Sequence, residues 1–210
     1  MSATDVAVVD YGLGNLLSVH RGLEHCGASV TVSEDPAVIL AARRVVLPGV
    51  GAFADGMAEL RRRGLDDVVR EVAARGVPLM GICLGMQMLL DESEEFGLSA
   101  GLGLIAGRVI AVPDRDAQGI PHKIPHIGWS SLVLPSRQTN WRDTPLSRVQ
   151  EGDAVYFVHS FMADPADPEC RIANCLYAGV PVTAAVGFRN VFGCQFHPEK
   201  IGRASCRERV

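Results

Sequence analysis

Four short uncharged runs punctuate the first 97 positions: Val6-Ala7-Val8-Val9, Ser29 to Val32, Val45-Val46-Leu47 and Leu79-Met80-Gly81-Ile82. Between them apolar residues recur at helical spacing. Leu16, Leu17, Val19, His20 and Leu23 do so up to Gly27, Phe53, Met57 and Leu60 up to Gly64, and a further helical stretch runs from Leu65 to Arg75. A strand that is apolar at nearly every position has to be buried on both faces. Strands alternating with helices meet that demand as a parallel sheet covered on either side. The predicted fold is therefore α/β, a three-layer αβα sandwich with a central, mostly parallel sheet.

After Gly97 the texture changes. Gly101-Leu102-Gly103 opens a half richer in Gly and Pro, with strand candidates near Gly107 to Val112, Ser131 to Leu134, Ala154 to Val158, Cys170 to Asn174, Val182 to Gly187 and Asn190 to Phe196. No polar linker and no internal repeat divides the chain, so one domain over residues 1–200 is expected. A chain of this length buries about 70% of its unfolded surface and needs no disulfide or metal staple. The six cysteines form no C-x-x-C pair and no basic leader precedes them, which predicts free thiols and a cytoplasmic protein. The longest nearly uncharged stretch, Leu79 to Leu90, is twelve residues. A membrane helix needs about 20, so this stretch reads as a buried strand running into a helix. Twenty Lys+Arg against 24 Asp+Glu give a net charge of −4, which sets nucleic-acid binding aside.

Three patterns carry chemistry. Gly81-Ile82-Cys83-Leu84-Gly85 joins a buried strand to a helix in the form of a nucleophile elbow, with Cys in place of Ser. Glycines two before and two after let neighbouring backbone pass close. The thiol stands where helix N–H groups favour thiolate, and the Leu84 N–H can face an oxyanion. Taken alone, the same residues also describe a small buried Cys between packing glycines. His197 and Glu199 follow a strand and, at i and i+2, would share a face as base and orienter if the strand continued. A surface His-Pro turn is the plainer reading of that pair. Pro48-Gly49-Val50-Gly51 is a strand-to-helix turn whose Val50 and Gly51 N–H groups offer a second oxyanion donor. Other patterns fail. Gly12-Leu13-Gly14 lacks the third glycine of a dinucleotide fingerprint, no G-K-[ST] follows a glycine loop, and Pro121 and Pro125 separate His122 from His126 on any helix face.

Together these segments resemble the class I glutamine amidotransferases, and within them the branch that serves histidine biosynthesis. The shared blocks are Asp10 to Asn15, Leu47 to Phe53, Gly81 to Gln87, Lys123 to Trp129, Tyr156 to Ser160 and Gln195 to Lys200, in family order. The resemblance implies the family's flavodoxin-like fold and a Cys83, His197, Glu199 triad that hydrolyses L-glutamine. It implies an oxyanion hole from Val50, Gly51 and Leu84, and contacts to glutamine from Gly49, Gln87, Glu95, Ser160 and Phe161. It also implies that ammonia passes to a (β/α)₈ cyclase subunit making imidazole glycerol phosphate, met by Asn15, His126, Trp129, Tyr156 and Lys200. No metal and no organic cofactor is implied.

Two rivals remain at this stage: a glutaminase serving another synthase, such as one amidating surface-polysaccharide sugars, and an inactive truncated scaffold. Ser130 and Phe161 depart mildly from the family pattern, which more often has Asn and Tyr there. Residues 201–210 depart strongly. They show no apolar face for the helix that ends the family's domain, and one codon choice for them spells a short-read sequencing adapter in frame. They are expected to be a non-native tail, with the terminal helix missing.

Overall fold

The computed structural model describes residues 5–200, so the expected tail and missing helix lie outside the described residues. In chain order the elements are β1 (Val6–Val9), α1 (Leu16–His25), β2 (Val30–Ser33), α2 (Pro36–Leu40), β3 (Arg44–Leu47), α3 (Phe53–Arg62), α4 (Leu65–Ala74) and β4 (Leu79–Ile82). There follow α5 (Leu84–Met88), β5 (Leu90–Ser93), β6 (Ser99–Ala100), β7 (Ile105–Ala111), β8 (His126–Val133), β9 (Ala154–His159) and β10 (Phe161–Pro165). Last come β11 (Arg171–Tyr177), β12 (Val180–Phe188) and β13 (Val191–Cys194).

The central sheet has nine strands in the order β2-β1-β3-β4-β13-β12-β11-β8-β9. Its first five strands are parallel and in flavodoxin-like succession. From β13 onward every pairing is antiparallel. A second sheet, β10-β7-β5-β6, leans on the first.

Alternation along the parallel strands sorts the core into two layers. Ala7, Val9, Val45 and Leu47 pack beneath α2, α3, α4 and α5, with Phe53, Met57, Leu65 and Met86. Val6, Val8, Val46 and Ile82 face the other way, toward Val19 of α1 and toward Trp141 and Leu146 of the irregular segment before β9. Local chemistry sets the helix limits. Asn15 and Asp35 cap α1 and α2 by accepting from Ser18 N and Ala37 N, and Gly64, at φ 66°, breaks α3 from α4.

The last strand lies at the centre. β13 pairs with β4 in register Cys194 to Ile82, and Cys83 N donates to Cys194 O at 2.8 Å. The two ends of the chemistry, 114 positions apart in sequence, leave the sheet side by side at the carboxyl ends of adjacent parallel strands. That is where α/β sheets bind ligands. Among the described residues no helix is long and apolar enough to cross a membrane.

Candidate active site

Cys83 is the hinge between β4 and α5, and its backbone sits at φ 54°, ψ −111°. A positive φ on a residue with a side chain costs about 1–3 kcal/mol, and here close packing imposes it. A Cβ on Gly85 would lie 1.8 Å from the Leu47 carbonyl oxygen, and one on Gly81 would lie 2.6 Å from the Gly85 carbonyl oxygen. Only glycines let the strand-turn-helix close this tightly, which confirms the elbow geometry expected from the spacing.

The turn before α3 is locked to that elbow. Tyr11, fully buried, donates its hydroxyl hydrogen to Pro48 O at 2.8 Å. A Cβ on Gly49 would meet the Tyr11 hydroxyl at 2.5 Å and Leu84 Cβ at 2.9 Å. Gly49, expected to touch substrate, is absent from the cavity lining and instead fixes the loop from below. Tyr11 was not singled out from the sequence, although a lone tyrosine after an all-apolar strand needs a partner for its hydroxyl.

His197 and Glu199 correct another expectation. They lie beyond β13, in a turn closed by Lys200 N donating to His197 O at 3.1 Å, and strand alternation plays no part in pairing them. The turn brings His197 Nδ1 to 2.8 Å from Glu199 Oε1, with side chains only 9% and 5% exposed. His197 N donates to Tyr156 O at 3.0 Å, which ties the turn to β9. Burial works against the imidazolium, but hydrogen bonding and charge from Cys83 and Glu199 prevail and raise His197 from 6.5 to about 9. Its Nε2 is buried, and the Cys83 thiol that raises the imidazole shares its cavity.

A cavity of about 330 Å³ opens over these groups, lined by Val50, Gly51, Cys83, Leu84, Gln87, Glu95, Ser160, Phe161 and His197, with Pro125, Val158 and His159. That volume suits a small metabolite. A larger groove of about 660 Å³ lies at the opposite end of the strands, among Val6, Leu79, Phe188 and Val191, and includes neither Cys83 nor His197. Cys83 and His197 both open on the smaller one. Two expected substrate contacts are already engaged. Glu95 Oε2 accepts from Phe53 N at 2.6 Å, capping α3, and Gln87 Nε2 donates to Phe161 O at 3.1 Å and Gln195 Oε1 at 3.0 Å.

The residues expected to face a partner divide. Trp129 is 48% exposed and meets Tyr156 edge to face, with ring centroids 5.6 Å apart. Exposed Lys200 lies 4.1 Å over the Tyr156 ring, and exposed Asn15 caps α1. His126 does not belong with them. It is buried, stacked between Phe157 and Tyr177, because strand alternation puts 126 and 129 on opposite faces of β8. Its hydrogen bonds fix both tautomers. The Phe161 carbonyl can only accept, so His159 Nδ1 donates to it at 2.8 Å. His159 Nε2 then accepts from His126 Nδ1 at 3.2 Å, and His126 Nε2 accepts from Ser130 Oγ at 2.9 Å. Burial pushes both imidazoles down to about 4.

Comparison with known proteins agrees with this geometry. The sequence model of the glutamine amidotransferase class-I family matches residues 7–208. Imidazole glycerol phosphate synthase subunit HisH 1 of Legionella pneumophila (strain Lens) is 49% identical over 199 residues, covering 95% of this chain and 93% of that protein. Subunit HisH of Geobacillus thermodenitrificans (strain NG80-2) is 47% identical over 199 residues, covering 95% and 90%. Among solved structures, a glutamine amidotransferase superposes with a TM-score of 0.67 at 18% identity, over 92% of this chain and 90% of that one. A chain of PurLQS from Thermotoga maritima does so at 0.67 and 21%, over 94% and 88%. At such identities the structural likeness speaks for the fold.

Proposed function

The chain belongs to the class I glutamine amidotransferase family, and from that premise we propose that Cys83, His197 and Glu199 carry the glutaminase half-reaction of a cytoplasmic imidazole glycerol phosphate synthase in histidine biosynthesis. The Cys83 sulfur attacks the side-chain amide carbon of L-glutamine in the 330 Å³ cavity. The oxyanion that forms is held by the Leu84 N–H and the Val50–Gly51 segment. The His197 imidazolium, oriented by Glu199, gives its Nε2 proton to the departing nitrogen. Ammonia leaves and a glutamyl thioester remains on Cys83. Neutral His197 then draws a proton from water, which attacks the thioester and releases glutamate. Gln87, Glu95 and the backbone of Ser160 and Phe161 hold the amino-acid head group.

Ammonia passes to a (β/α)₈ cyclase subunit that covers the outer edge of β8 and β9. That edge presents Ile127, Trp129 and Val158 to solvent beside Tyr156 and Lys200, an apolar patch of the kind an obligate partner buries. The observation that carries the reading is Cys83, strained at φ 54°, sharing one cavity with a histidine clamped 2.8 Å from a buried glutamate. Cys83→Ala should lower cyclase-stimulated glutamate release by at least about 10⁴-fold while leaving co-purification with the cyclase intact. Turnover that survives the substitution refutes the assignment.

A further inference from the structure

One polar side chain against the Cys83 sulfur has no part in the reaction sequence above. Gln195 directly follows β13, with its backbone N donating to Ala184 O at 2.8 Å, and it is fully buried. A buried amide has to satisfy both its ends, and those of Gln195 point at two functional groups. Its Oε1 faces Gln87 and its Nε2 lies 3.6 Å from Cys83 Sγ, within the range of an N–H to sulfur hydrogen bond.

The orientation of that amide follows from a group that can only accept. The Phe161 carbonyl oxygen faces the Gln87 amide at 3.1 Å, so the Gln87 nitrogen is turned toward it. The second N–H of that nitrogen meets the Gln195 amide at 3.0 Å, which requires an oxygen there. Gln195 Nε2 is left on the sulfur side. The reverse orientation would set two N–H groups against each other in a dry interior and turn a carbonyl oxygen toward the sulfur, a loss at both ends. The same Phe161 carbonyl accepts from His159 at 2.8 Å, so the frame rests on β9 and β10 as well as on α5.

We propose that Gln195 is a catalytic residue of this glutaminase, whose amide N–H hydrogen-bonds the Cys83 sulfur and favours its thiolate, with Gln87 as the positioning residue that fixes the amide's orientation. The inference rests on Cys83 being the nucleophile. A hydrogen bond to a charged acceptor is stronger than one to its neutral form, so the donor shifts the equilibrium toward thiolate before substrate arrives. The other titratable groups facing the sulfur are His197, Tyr11 and Cys194, with Glu199 behind His197. Burial holds Tyr11 and Cys194 neutral, so neither sets a negative charge beside the sulfur. Gln195 Nε2 reaches the sulfur from just beyond β13, apart from the His197 imidazole.

The test is the pH dependence of Cys83 alkylation by iodoacetamide in the full chain without glutamine, read by peptide mass so that the other cysteines are resolved. Gln195→Met keeps the length of the side chain and removes the donor. The midpoint should move to higher pH and the rate at pH 7 should fall about three- to tenfold, with the high-pH plateau within about twofold of wild type. A merely structural role would lower the whole curve without moving its midpoint, and that result, like an unchanged curve, overturns the proposal. If Gln195→Met fails to fold, Gln195→Leu also removes the donor with little change in volume, and an unmoved midpoint there is equally fatal. Glutamine turnover by Cys83→Ala would instead fail the underlying reading, and the two failures are told apart by which variant misbehaves.

Discussion

In the parallel half of the sheet β1, β3, β4 and β13 are buried along nearly their whole length, with helices on one side and α1 on the other. In the antiparallel half β8 turns His126 inward and Ile127 and Trp129 outward, and β9 exposes Val158. The two halves hold the same cavity by different means. The parallel half supplies Cys83, the proposed nucleophile, held in a strained backbone by contacts too close to relax. The antiparallel half supplies His159, a neutral imidazole backed by His126, and an outer face that exposes Ile127, Trp129 and Val158. One half is limited by sterics and the other by protonation, and each can be broken separately.

The largest expected effect is steric. Gly85→Ala sets a Cβ 1.8 Å from the Leu47 carbonyl oxygen, where only backbone can yield. It should cost on the order of 3 kcal/mol or more, lowering Tm by roughly 6–12 °C. Gly187→Ala, in the antiparallel half, meets the far end of the Ile172 side chain at 2.4 Å, which can swing away. It should cost about 1 kcal/mol or less. Equal losses in thermal melts would erase the distinction.

At the seam between the halves, Glu199→Gln removes one of the groups that raise His197 to about 9. The imidazolium should then deprotonate at lower pH, moving the alkaline limb of glutamate release downward and reducing activity at pH 8 by up to about thirtyfold. The sign in stability follows. A histidine raised from 6.5 to about 9 stabilises the native state fully below pH 6.5 and loses that contribution as pH climbs through 9. The stability gap between wild type and variant should narrow over that window.

The smallest effect is confined to the antiparallel half. His126 and His159 are held neutral with values near 4, so the unfolded chain takes up protons below pH 6.5 that the native state refuses. Stability should fall by about 2 kcal/mol or more between pH 7 and 5 in denaturant titrations. His126→Gln should flatten that slope, and an unchanged slope would remove the imidazole pair from the account.

The same division explains what could be read from the residues alone. β1, β3 and β4 were legible because burial on both faces leaves a continuous apolar run. The second sheet was missed in part, since β5 reads Leu-Asp-Glu-Ser and β10 ends in Asp-Pro, neither of which looks like a strand. β8 was placed from Ser131 when it starts at His126. Over 126–130 its alternation is inverted, with Ile127 and Trp129 outside and His126 and Ser130 inside, before Ser131 and Leu132 restore the usual order. Extending it by five residues would have separated His126 from Trp129. Gln195 did leave a signal: a lone amide between Cys194 and Phe196 in an apolar run has to find its partners inside.

A glutaminase of this kind works by covalent chemistry at one sulfur. Acid quench of the protein turning over glutamine with a cyclase subunit, followed by peptide mass analysis, should find a glutamyl thioester on the peptide carrying Cys83 and on no other cysteine. Glutamate released at the same rate with Cys83 unmodified, or an adduct on a different residue, would contradict it.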